Sequence, residues 1–293
     1  MPVLQRVSVT VKNILVATDF SAVSDKAAAY AKALALNFRS NVEIVHVFDP
    51  SVVTSYVEAI LGTPVKERHQ LTNENLEKLR QDFAASGIEV RTSQPEGHRT
   101  HAALLRVARR HEADLIVAGT HSKWGLERLV LGSTAEELIR HSACPVLTVG
   151  PHAKQPADGP LVFRTIVYAT DFSAQAAKAA VFALSFAQDS GAHVYFCHIS
   201  AAEATPEESK ALDATFKAAL NKMIPESVYE WCSPETVVKH GDAAEAILEL
   251  ADRVHADLII LGARNASFWL THVEHGLTPD LLAEATCPVM TVC

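Results

Sequence analysis

No apolar run in this chain approaches the roughly 18 residues that a transmembrane helix needs, so no membrane span is expected. Residues 1–13 carry no long apolar core, so no secretory signal is expected either. No basic block of five or more residues occurs, and the formal net charge is −8; an electrostatic footprint for nucleic acid is therefore missing. The five cysteines, Cys144, Cys197, Cys232, Cys287 and Cys293, form no C-x-x-C pair and no finger spacing. That pattern points to a reducing, cytoplasmic setting, with Cys144 and Cys287 read as small buried residues before a strand. Catalytic signatures are missing as well. There is no G-x4-G-K-[ST], no G-x-G-x-x-G, no H-E-x-x-H and no G-x-S-x-G. P-loop hydrolysis, dinucleotide-dependent redox chemistry, zinc proteolysis and nucleophile-elbow acyl transfer have nothing to stand on.

What is present is said twice. Ala17-Thr18-Asp19-Phe20-Ser21 returns 152 positions later as Ala169-Thr170-Asp171-Phe172-Ser173. Ala113-Asp114-Leu115-Ile116 returns 143 positions later as Ala256-Asp257-Leu258-Ile259, and Cys144-Pro145-Val146 returns at the same spacing as Cys287-Pro288-Val289. Three matches in one order describe a duplicated domain. The period far exceeds the 20–50 residues of solenoid units, so each copy buries its own core. With 293 residues, 48% hydrophobic and 20% charged, the chain suits two soluble globular domains. Their expected bounds are 1–150 and 161–293, joined by a Pro-, Gly- and Ala-rich linker at 150–160.

Within the first copy, β-rich runs are expected at 13–18, 42–48, 88–93, 114–119 and 145–149. Helical stretches lie between them: an alanine-rich one to about 38, then 65–86, 100–111 and 133–141. Ser21 is placed to cap the first helix and Gly87 to end the second. The second copy repeats this order from 165–170 to 288–292. Alternating strands and helices predict the α/β class, two doubly wound, five-stranded parallel sheets, with 3-2-1-4-5 as the expected strand order. Such sheets take ligands at strand carboxyl ends where the order reverses. In each copy that places the ends of strands one and four side by side, at Asp19 and Gly119 in the first.

After the fourth strand the first copy reads Gly119-Thr120-His121-Ser122-Lys123-Trp124-Gly125, and on to Gly132-Ser133-Thr134. With Asp19 after the first strand, this resembles the G-x2-G-x9-G-[ST] loop of ATP-binding universal stress proteins, and the likeness runs through both copies. The resemblance implies a Rossmann-like fold of the adenine-nucleotide hydrolase type and a role in stress adaptation. It further implies ATP, with any Mg²⁺ accompanying it, held by Asp19, Gly119, Ser122, Gly132, Ser133 and Thr134, and a base contacted by Ala17, Val47 and Ala118.

The residue chemistry agrees. Glycine lets backbone approach an anion and adopt positive φ. Gly132-Ser133-Thr134 opens a helix, where unpaired N–H groups and the dipole favour phosphate. An ionised Asp19 only accepts hydrogen bonds, which suits ribose hydroxyls or an adenine amine; a helix-start cap is its structural alternative. Lys123 and Arg128 neutralise phosphate or are merely solvated, and Ala17, Val47 and Ala118 read equally as strand-end packing. Ser122 departs from the family's glycine. His46 and His198, at strand ends in both copies, read as structural. No general base stands out near the phosphates, so any hydrolysis is expected to be slow.

The second loop, Gly262 to Leu277, puts Asn265 and His275 where the pattern has glycine, Gly276 where it has a hydroxyl, and Glu274 beside them. Poor ATP binding is expected there despite Asp171. His272, Glu274 and His275 lack a third firm metal ligand, and Phe268-Trp269-Leu270 offers an apolar contact instead. The resemblance also implies an intramolecular pseudo-dimer of the two copies through their last strands, with a homodimer of chains open beside it. The competing function class is a nucleotide-independent interaction or small apolar-ligand protein, for which Ser122 marks lost binding.

Overall fold

Short β-branched runs alternate with amphipathic stretches, and each copy closes into an open parallel sheet wrapped by helices. The computed structural model describes residues 9–49, 65–120, 132–200, 206–262 and 277–293. The first unit holds β1 (Asn13–Ala17), α1 (Ala22–Phe38), β2 (Asn41–Val45), α2 (Val65–Ala85), β3 (Val90–Ser93), α3 (Thr100–Arg110), β4 (Leu115–Gly119), α4 (Ser133–His141) and β5 (Val146–Val149). Its strands pair in parallel in the order β3-β2-β1-β4-β5. Right-handed crossovers on the β1-β2-β3 side put α1 and α2 on one face, and those of the return place α3 and α4 on the other. Accordingly α1 packs on β1, β4 and β5, while α3 packs on α4.

The second unit repeats this with β6 (Thr165–Ala169), α5 (Ala174–Ser190), β7 (His193–Ser200), α6 (Pro206–Met223), β8 (Ser233–His240), α7 (Ala243–Val254), β9 (Leu258–Gly262), α8 (Leu277–Glu284) and β10 (Val289–Val292). Its strand order is β8-β7-β6-β9-β10, again parallel. The compact units gather Thr10–Val149 with Gln155–Leu161, and Gly150–Lys154 with Val162–Cys293, so each takes a piece of the linker. Among the described residues no helix is long and apolar enough to cross a membrane.

The local signals act as expected. The Ser21 hydroxyl accepts the Ser24 N–H at 3.2 Å and caps α1. Gly87, at φ +80°, turns the chain after α2 where a side chain would be strained. Alanines make α1 slim: Ala27, Ala28, Ala31 and Ala35 are buried against the sheet. The repeated Ala-Asp-Leu-Ile has a plain structural task. Asp114 Oδ2 accepts the N–H groups of Lys12 and Asn13 at 2.7 and 3.0 Å. Asp257 Oδ2 does the same for Arg164 and Thr165 at 2.9 and 3.0 Å. Each carboxylate pins the start of its unit's first strand to the start of the fourth. All five cysteines are free. Burial pushes the Cys197 and Cys287 thiols up to about 12, which fits inert packing rather than redox work.

Two features were outside the sequence reading. β2 stops at Val45, short of the expected 48, although the His46 and Phe48 N–H groups go on donating to Ser93 O and Pro95 O. In the second unit β7 and β8 pair over eight residues each, where β3 has four.

Candidate nucleotide site of the first unit

β1 and β4 are neighbours, with Ala17 level with Ala118, and the chain leaves them toward opposite sides of the sheet. A cavity of about 290 Å³ opens at that reversal. Its wall is built from the ends of β1 (Ala17, Thr18, Asp19), β2 (Val45, His46, Val47) and β4 (Ala118, Gly119, Thr120). The start of α4 adds Gly132, Ser133, Thr134 and Ala135; Ser24 of α1 and Thr100 and Leu104 of α3 complete it. Eight of the nine residues expected from the sequence therefore meet around one cavity. The ninth, Ser122, lies outside the described residues, as do His121, Lys123 and Arg128.

The sequence reading missed Ser24, Thr100 and Leu104, and gave His46 only a structural part. The helix residues carry no motif; only the crossover brings them over the strand ends. For His46, its recurrence at the same strand end in both copies was the available signal.

Asp19 sits in a tight turn. Its Oδ1 accepts the Ser21 N–H at 3.0 Å, and Thr18 Oγ1 accepts the Phe20 N–H at 3.0 Å. Phe20 takes φ +58°, a left-handed conformation that costs a non-glycine residue about 1–2 kcal/mol. The Ser24 hydroxyl donates to Ser21 O at 2.9 Å and lies 3.2 Å from Thr18 Oγ1. The two roles open to Asp19 are thus compatible: its carboxylate fixes the turn, and the residue lines the cavity.

The glycines act differently from the expectation of positive φ. Neither Gly119 nor Gly132 is in the left-handed region; Gly132 has φ −63°. Room is what they supply. A Cβ on Gly132 would stand 2.8 Å from Thr120 O, the atom that accepts the Gly132 N–H at 2.7 Å. A Cβ on Gly119 would meet Ser24 N and Val23 Cγ1 at 3.1 Å, so that glycine lets α1 lie close on β4.

At the start of α4, Gly132 is the N-cap and no side chain caps the helix. The first-turn N–H groups and the Ser133 and Thr134 hydroxyls make a donor-rich end suited to an anion. The acidic residues of α4 are drawn into ion pairs with Arg140: Glu136 at 2.6 Å and Glu137 at 3.5 Å.

The second unit keeps the turn and alters its setting. Asp171 Oδ1 accepts the Ser173 N–H at 2.9 Å, and Phe172 has φ +61°. Ala176 stands where the first unit has Ser24, and Tyr168 where it has Val16. The Tyr168 hydroxyl donates to Ala176 O at 2.6 Å, and Gly262 lies so close to α5 that a Cβ would be 2.4 Å from Ala176 N. Asn265, His272, Glu274, His275 and Gly276 lie outside the described residues. Among the described residues no group of three or more His, Cys, Asp or Glu side chains could hold a metal ion.

The model of the universal stress protein family matches residues 10–150 and again 163–292. A universal stress protein of Methanocaldococcus jannaschii is 34% identical over 152 residues, 49% of this chain and 85% of its own length. One from Thermus aquaticus is 34% identical over 140 residues, 47% of this chain and 98% of its own. The solved universal stress protein of Archaeoglobus fulgidus superposes at a TM-score of 0.71 with 19% identity, covering 98% of this chain and 97% of that one, a likeness of fold. Two matches to the family model, one on each parallel sheet, establish that this chain belongs to the universal stress protein family and carries two of its domains.

Proposed function

We infer that the first unit binds ATP at the β1–β4 switch point and that the chain serves the cytoplasmic stress response as a nucleotide-dependent regulator, without strong catalysis. The observation that carries this reading is the convergence of Asp19, Gly119, Gly132, Ser133 and Thr134 on one cavity whose far wall is a helix start without a side-chain cap. In it the α4 N–H groups and the two hydroxyls hold phosphate oxygens. Asp19 accepts from ribose or from the adenine amine. Ala17, Val47 and Ala118 flank the base. The second unit, with Ala176 for Ser24 and Glu274 and His275 in its loop, binds ATP poorly.

Calorimetry with ATP tests this. One site per chain is expected, lost in Gly132→Val. No heat together with no protection against thermal melting at millimolar ATP overturns the reading and favours a nucleotide-independent interaction protein.

A further inference from the structure

His46 stands one residue beyond β2 and contributes to the cavity wall. Its Nδ1 is 2.9 Å from Thr18 O. A carbonyl oxygen only accepts, so Nδ1 carries the proton and donates. The ring also stacks on Phe20, with centroids 4.9 Å apart and planes at 29°. His46 thus grips both residues that flank Asp19. Its own backbone is anchored, since its N–H donates to Ser93 O at 3.2 Å, and the Thr18 N–H donates to Val45 O at 3.0 Å.

The second unit repeats each part of this grip. His198 Nδ1 is 2.8 Å from Thr170 O, and its ring lies 4.6 Å from that of Phe172, which has φ +61°. A left-handed aromatic residue is held in both copies by the same pair of contacts. A strained backbone conformation persists where its surroundings over-determine it. Here the strain sits next to Asp19, which lines the cavity.

We propose that His46 is a positioning residue: its Nδ1–H bond to Thr18 O and its stack on Phe20 fix the turn that presents Asp19 to the ligand. For its ligand this rests on the nucleotide reading; for the turn it rests on geometry alone. His198 does the same for Asp171.

The test separates the two. Amide hydrogen exchange of Ser21, whose N–H is held by Asp19 Oδ1, is measured in the ligand-free chain. His46→Phe keeps a ring on Phe20 and removes the donor. Exchange at Ser21 is expected to rise roughly tenfold, with Ser173 of the second unit unchanged as an internal control. His46→Asn places an amide nitrogen where Nδ1 was and restores protection; His46→Gln places it one bond further and does not. Unchanged Ser21 exchange in both His46→Phe and His46→Gln overturns the proposal, whether or not ATP binds.

In the ATP titration, His46→Phe weakens binding about tenfold in the parent chain and has no further effect on Asp19→Ala. Equal weakening in both backgrounds means His46 acts without Asp19 and overturns the proposal. A parent chain that binds no ATP overturns the nucleotide reading only, and the exchange data then decide the role of His46.

Discussion

Gly132 lies so close beneath Thr120 that a Cβ on it would stand 2.8 Å from the Thr120 carbonyl oxygen. The hydrogen bond between the same two residues, 2.7 Å long, ties the end of β4 to the start of α4. At Gly262 the crowding is greater, 2.4 Å to Ala176 N; at Gly119 it is milder, 3.1 Å to Ser24 N. Forced overpacking costs about 1–3 kcal/mol, occasionally more. Alanine substitutions should therefore rank in stability loss as Gly262, then Gly132, then Gly119. Denaturant midpoints of the three single variants check the order. A Gly262→Ala chain as stable as the parent would refute the steric account.

Tyr168 is fully buried, edge-on to Phe196, and its hydroxyl donates to Ala176 O at 2.6 Å. Burial pushes the phenol up to about 12. In an alkaline absorbance titration of the folded chain, Tyr168→Phe should remove a phenol that ionises at about 12. The same variant should cost about 1 kcal/mol, the net worth of one hydrogen bond. Tyr168→Val restores the residue of the first unit but leaves a void, and should cost about 3–5 kcal/mol, as large aromatic truncations do. Urea unfolding distinguishes the two.

Glu43 is buried on β2 and gathers Ser93 Oγ at 2.7 Å, Arg110 at 3.3 Å and His111 Nδ1 at 3.3 Å. Burial lowers His111 below the ordinary histidine value of 6.5, against the pull of Glu43 and with help from Arg91 and Arg110. A histidine kept neutral by folding binds more protons when unfolded. Its contribution is complete above pH 6.5 and is lost as pH falls below that value. Thermal midpoints should therefore drop as pH falls below 6.5, and His111→Gln should flatten that drop. An identical slope in the variant would count against His111. The second unit has Tyr195 and Val254 at the matching positions, so the effect belongs to the first.

Much of the fold was legible because it rests on local and periodic signals. Strands and helices fell within a few residues of their expected bounds, since alternating apolar runs, the Ser21 cap and Gly87 act over short range. The exception, β2, ends at Val45, level with the last residue of β1, Ala17, although His46 and Phe48 still donate to Ser93 and Pro95. The site was legible where a motif marked it: Asp19, Gly119, Gly132 and Ser133 line the cavity. Ser24, Thr100 and Leu104 were silent, because nothing in their own neighbourhoods distinguishes a cavity wall from a helix face.

By itself the sequence determined that one α/β unit was written twice and that the second loop diverged. Those properties follow from composition and spacing along the chain. Tertiary structure alone decided why the glycines are needed, room rather than positive φ, and that His46 grips the turn carrying Asp19. Both depend on distances between residues far apart in the chain, such as Gly132 with Thr120 and His46 with Thr18, which close contact creates and no local pattern records.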